Sequence, residues 1–218
     1  MRAAFEPEGY EIELDMFPYV RAVKAVQQGT YDGIVVVGRD YAPELIYPSR
    51  PTVSQRVVFL VKRGATWRYT GIDSLAQVRV GIVGGYHYVD PDLIDYLEQH
   101  RQDEARVQVI LGNSTTVRGL NMLSANRITT FLEGEYSAMY ELDKIGAQNS
   151  VEAAGYTQEA FDDYTAFSPQ NPNARRYAEI LSDTLERMSA NGQLEEILRE
   201  YGITLVPETP ALDRTATQ

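Results

Sequence analysis

The chain of 218 residues contains no cysteine. Disulfides, thiolate nucleophiles and Cys-ligated metals are excluded by that absence, while the redox compartment stays open. Histidine is almost as scarce, with His87 and His100 alone and in no HxxxH spacing. A metal site is therefore not expected, and a His-based triad has only these two residues to draw on. Positive charge is also short: 20 Lys and Arg stand against 31 Asp and Glu, for a net charge of −11 without any basic cluster. Nucleic acid and anionic membrane surfaces are poor partners for such a chain. Small anionic ligands are not excluded, because local dipoles and single arginines can outweigh the global field. No apolar run approaches the roughly 20 residues of a membrane span. No signal peptide, fixed-period repeat or low-complexity tract is visible.

What remains is ordinary soluble-protein composition, 44% hydrophobic and 23% charged, in a length that suits one large domain or two lobes of about 100 residues each. The first residues, Met1–Gly9, read as the last turns of a helix stopped at Gly9. Tyr10–Met16 alternates apolar with acidic residues, the pattern of a strand with one wet face. Pro18 opens a helix that runs to about Gln28, and Gly29 ends it. Asp32–Val37 is apolar throughout, as in a buried parallel strand, which completes an expected βαβ unit. The polar loop Gly38–Leu45 then falls at the carboxyl end of that strand, where open α/β sheets bind ligands. Arg56–Arg63 reads as a further apolar strand.

A second series of units follows: strand 78–83, helix 90–100, strand 107–111, helix 117–126, strand 129–132 and helix 135–145. Tyr164–Phe167 reads as a strand returning to the first lobe. Helices over Arg175–Ala190 and Gln193–Tyr201, each with one apolar face, close the fold. Residues 206–218 read as a flexible tail. The divisions expected are 1–63 for the first part of lobe 1, 64–162 for lobe 2 and 163–205 for the crossover and C-terminal helices.

The turn Gly84-Gly85-Tyr86 joins the strand 78–83 to the helix 90–100. A glycine pair there lets backbone N–H groups approach a ligand, and the helix start favours negative charge. An ordinary βα turn accounts for the same residues, so the weight of the feature lies in its place, at the entry to a second α/β lobe.

In order and spacing, several short motifs resemble solute-binding protein family 3, the type II periplasmic binding proteins of polar amino acid transport systems. They are Phe17-Pro-Tyr-Val-Arg-Ala22, Gly29-Thr-Tyr-Asp-Gly33, Ala42-Pro-Glu44, Ser74-Leu75 and Val80-Gly-Ile-Val-Gly-Gly-Tyr-His-Tyr88. Leu120–Ile128, Ala166-Phe-Ser168 and Asn191-Gly192 through Tyr201-Gly202 continue the likeness, which spans about residues 3 to 203. The resemblance implies an α/β, two-lobed type II fold whose lobe 1 lacks the family's first strand. It implies capture of a small polar solute, amino acid-like or an organic acid, in an interlobe cleft. It further implies a periplasmic monomer, docking on a membrane ABC permease, with no cofactor and no catalysis. Strands 56–63 and 163–168 would form the hinge.

The family's carboxylate-binding arginine corresponds to Leu45, its ammonium-binding aspartate to Gly134, and its aspartate after Arg-Ile to Thr129. Both amino acid anchors are thus altered, and Arg39 is the cation that would replace the lost one. The ligand contacts expected are Arg39, Asp40 and Tyr41 from lobe 1, with Gly85, Tyr86, Thr115, Thr116 and Glu135 from lobe 2. Asn113–Thr116 would also cap the helix that follows. Of Glu133 and Glu135, at most one is expected to face the cleft. His87 reads as a solvated loop residue and Arg21 as structural. Two other classes fit the same resemblance: a sensory or interaction module of the same fold, and a dehydratase-like enzyme, against which stand the poverty in histidine and the lack of a recognisable acid–base pair.

Overall fold

In the computed structural model, which describes residues 1–86, 88–201 and 203, two sheets of unequal size are joined by two short connections. The chain enters through a single helical turn, α1 (Arg2–Phe5), followed by a 3₁₀ turn that ends at Gly9 in the left-handed region. Phe5 then packs edge-on against Tyr10, Phe167 and Tyr177. Helix α2 (Tyr19–Gln27) begins after Pro18, whose fixed φ suits a helix start, and buries Val23 and Val26.

The smaller sheet has the order β1-β8-β2, formed by β1 (Gly33–Val37), β2 (Val53–Gln55) and β8 (Phe161–Phe167). Both outer strands run antiparallel to β8. The larger sheet has the order β5-β4-β6-β3-β7. Its members are β3 (Val57–Lys62), β4 (Val80–Val83), β5 (Val107–Ile110), β6 (Thr130–Gly134) and β7 (Val151–Tyr156). Strand β4 is parallel to β5 and β6, whereas β3 is antiparallel to β6 and β7.

Helices α3 (Pro91–His100), α4 (Thr115–Ser124) and α5 (Glu135–Lys144) connect and flank this larger sheet. Asp90 caps α3 by accepting the N–H of Leu93, with Pro91 at its first position. Gly119 lets α4 lie close on the sheet, because a Cβ there would sit 2.4 Å from the Phe131 ring. Phe59, Phe131 and Leu132 are fully buried at the centre of the two apolar clusters of this lobe, and each such side chain contributes roughly 1.5–3 kcal/mol by leaving water. Helices α6 (Ala174–Ala190) and α7 (Gln193–Glu200) return to the smaller lobe, where Leu181 and Leu185 pack with Phe5 and Phe167.

Three expectations are corrected. Tyr10–Met16 is not a strand: it is irregular, with Leu14 and Met16 exposed by 63% and 94%. Its alternation is sound, but a strand also needs a neighbour for its backbone N–H and C=O groups, and no described strand lies beside it. The βαβ unit does not form either. The described neighbour of β1 is β8, which runs the opposite way, and Val35 and Val36 stay exposed. Strand β3, expected in lobe 1, lies between β6 and β7 in the larger sheet, with Val57–Val61 buried. The chain therefore leaves the small sheet at Gln55 and re-enters it at Phe161. The expectations for His87 and for the tail 206–218 fall outside the described residues.

Candidate interlobe site

Strand ends and helix starts bring a compact group of side chains together where the sheets meet. The start of α2 supplies Tyr19, and the loop after β1 supplies Tyr41. Their rings lie 5.2 Å apart. From the larger lobe, the turn after β4 carries Tyr86, whose ring meets Tyr19 edge-on at 5.8 Å. Gly85, at φ 87°, approaches α2 so closely that a Cβ would stand 2.7 Å from Val20 Cγ2. The two lobes thus touch through Tyr19, Val20, Gly85 and Tyr86.

Two buried carboxylates act on these rings. Glu133, at the end of β6 and 1% exposed, accepts the Thr116 hydroxyl at 2.6 Å and the Gly134 N–H at 2.9 Å. Burial raises its pKa from 4.5 to about 7, against the opposing pull of those two donors. Asp163, on β8 and 4% exposed, accepts from the Gln55 amide. Burial raises it too, from 3.8 to about 6, and Asp162 adds to the rise. Both acids act on Tyr86, whose pKa is raised first by burial and then by Glu133 and Asp163. Glu133 and Tyr86 similarly bear on the buried Tyr88 phenol.

Gln55 ties the lobes. Its amide nitrogen donates to Asp163, while its oxygen accepts the Tyr136 N–H in the first turn of α5 at 3.0 Å. Gly134, the cap position of α5, has no side chain to satisfy those first N–H groups, so a residue of the other sheet does so. A Cβ on Gly134 would meet Gln55 Oε1 at 2.9 Å.

Of the residues expected at the site, Tyr41, Gly85, Tyr86 and Thr116 belong to this group. Thr115 opens α4 beside them, half-buried. Ser114 stands at the cap position of α4 but makes no side-chain cap bond. Arg39 lies over the rings of Tyr164 and Tyr47, at 4.7 and 5.2 Å, and donates to the Pro48 carbonyl at 3.1 Å. Asp40 is exposed beside it. Glu135 starts α5 and acts on Tyr156, over which Arg56 also lies, so Glu133 rather than Glu135 is the acid next to Tyr86. Sequence reasoning missed Tyr19, Gln55 and Asp163. The available signal for Asp163 was the acidic pair Asp162-Asp163 directly ahead of the run Tyr164–Phe167.

Among the described residues no group of His, Asp and Glu has the geometry of a metal site, and no helix is long and apolar enough to cross a membrane. No protein-family model and no curated protein sequence matches the chain. Solved structures do. A histidine kinase sensor domain with similarity to periplasmic binding proteins is 17% identical, with a TM-score of 0.70 over 94% of this chain and 85% of its own. An amino acid ABC transporter substrate-binding protein from Streptococcus pneumoniae, bound to L-arginine, is 17% identical, with a TM-score of 0.72 over 94% of this chain and 82% of its own. A structure from the study of glutathione import in Streptococcus mutans is 15% identical, with a TM-score of 0.73 over 95% and 85%. The chain has the two-lobed, mixed α/β fold of the type II periplasmic binding proteins, as found in the substrate-binding components of amino acid ABC transporters.

Proposed function

We propose that this protein captures a small polar solute between its lobes, outside the cytoplasm, and presents it to a membrane ABC permease. The observation that carries this reading is the meeting of Tyr19 and Tyr86 across the two sheets, with two buried carboxylates acting on these rings. A ligand held there touches both lobes and so favours their closed arrangement, which is how a hinge protein converts binding into a recognisable shape. The substrate-binding components among the structural relatives support the reading. Capture without chemical conversion follows from it.

A thermal-shift screen of amino acids, organic acids and amines tests the proposal. A binder at a hundredfold over its Kd stabilises the protein by about 2.7 kcal/mol, a clear rise in melting temperature. Absence of any shift across all three classes, with the protein folded, overturns it.

A sensory module is the second reading. Leu45 is buried in the apolar core of the small lobe, and Gly134 is packed against Gln55, so neither offers the charged anchor of an amino acid carrier. The sensor domain among the relatives has the same fold. Solute uptake by vesicles carrying a cognate permease separates the two, since a sensor binds without supporting uptake.

A further inference from the structure

The charges around the interlobe site are one-sided. Glu133 and Asp163 are both buried, and neither forms an ion pair among the described residues. Two arginines are engaged elsewhere: Arg39 with Tyr164, Tyr47 and Pro48, and Arg56 with Tyr156. Removing carboxylates from water without a cation is costly, and the cost is offset when a positive group enters beside them. The aromatic lining favours the same sign. The rings of Tyr19, Tyr41 and Tyr86 form a connected group, and ring faces attract ammonium and guanidinium groups.

Beyond the Val83 backbone, the buried Tyr88 hydroxyl makes no hydrogen bond of normal geometry among the described residues, so it can also take a ligand N–H. The Thr116 hydroxyl, at the first turn of α4, is already given to Glu133.

We propose that the cleft selects an organic cation without a carboxylate, an amine or guanidinium compound, held against the Tyr19, Tyr41 and Tyr86 rings and neutralised by Glu133 and Asp163. This specificity rests on the capture reading above. A ligand carboxylate would enter beside two acidic groups, with no arginine among the described residues shown bonded to either of them. The net charge of −11 adds a long-range attraction for cations.

Agmatine and L-arginine share the guanidinium arm and differ by the carboxylate, so calorimetric titration with each is the direct test. Putrescine and succinate complete the set. Agmatine or putrescine is expected to bind at least tenfold more tightly than L-arginine, and succinate not at all. Glu133→Gln, which keeps shape and removes a buried charge, is expected to weaken amine binding at least tenfold while the protein stays folded by circular dichroism. Equal or tighter binding of L-arginine or succinate overturns the cation proposal and leaves solute capture standing. Unchanged amine affinity in Glu133→Gln also overturns it. If none of the four binds, nor any other solute in the thermal screen, capture itself falls and this proposal with it.

Discussion

Thr157 and Val57 are bonded to each other twice: the Val57 N–H donates to Thr157 Oγ1 at 3.2 Å, and the Thr157 N–H donates to the Val57 carbonyl at 3.0 Å. Each residue stands at the point where one of the two connections leaves the small sheet or heads back to it. Thr157 is 1% exposed and sends its own hydroxyl on to the Glu159 carbonyl. The two connections are thereby held side by side.

Replacing Thr157 by valine keeps the shape but leaves the buried Val57 N–H without an acceptor. A loss of about 1–3 kcal/mol is expected, the cost of an unsatisfied buried donor. Urea unfolding monitored by Trp67 fluorescence measures it, with the midpoint falling and the slope unchanged. Serine at the same position, which keeps the hydroxyl, should recover most of the loss.

Gly85→Ala acts on the lobe contact. The residue sits at φ 87°, and a Cβ there meets Val20 Cγ2 at 2.7 Å. The left-handed backbone alone costs an alanine about 1–2 kcal/mol, and the collision adds a push on α2. Stability should fall and the radius of gyration in small-angle scattering should rise. Adding Val20→Ala removes the collision but not the backbone cost. The double variant is therefore expected to regain its compactness while remaining less stable than the parent.

The pH dependence runs opposite to that of most acidic proteins. Glu133 and Asp163 rise from 4.5 and 3.8 to about 7 and about 6 in the folded protein, so between these values the native state holds more protons than the unfolded chain. Stability from this source is complete below about pH 4 and is lost as pH climbs through 6 and 7. Among the described residues, the groups facing Glu133 are the Thr116 hydroxyl, the Gly134 N–H, Tyr86, Tyr88 and Glu141, none of them cationic. Melting temperature should therefore decline from pH 5 to pH 8. Glu133→Gln should flatten that decline and melt higher than the parent at pH 8.

Arg39→Ala tests whether that arginine is structural. Its guanidinium lies over two tyrosine rings at the surface of the small lobe, an arrangement worth about 0.5–1 kcal/mol at an exposed site. A loss of that size in urea unfolding, with amine affinity within twofold of the parent, is the expected result. Arg39→Lys should recover only part of it, because an ammonium does not stack as a planar guanidinium does.

The larger lobe was well legible in the sequence, because its elements carry their own signals. Asp90-Pro91 announces α3, and the runs behind β4 and β5 are short, apolar and bounded by turn residues. The helices α6 and α7 show apolar faces at helical spacing and end where Asn191-Gly192 breaks them. What was not legible depends on neighbours. The alternation of Tyr10–Met16 is strand-like in isolation, yet its backbone has no described strand to pair with. Strand β7, Val-Glu-Ala-Ala-Gly-Tyr, is too poor in large apolar residues to stand out and forms because β3 offers it an edge. The site divides the same way. Tyr86 and Thr116 sit at turns and helix starts that sequence patterns mark. Gln55 and Asp163 lie far apart in the chain on ordinary-looking strands, and only the pairing of β2 with β8 brings them together.

The strand order β1-β8-β2 has a consequence for how the chain acquires its shape during synthesis. Each of the two early strands has β8 as its partner, and β8 is made more than a hundred residues after them. The larger lobe, by contrast, is one uninterrupted stretch from Val57 to Tyr156. On the ribosome that stretch can complete itself first, since continuous units mature as they emerge. The small lobe's strands must wait, unzipped, until residues 161–167 arrive to draw both ends of the molecule together. Its assembly is thus the late, long-range step, and the interlobe site cannot be complete before β8 is made.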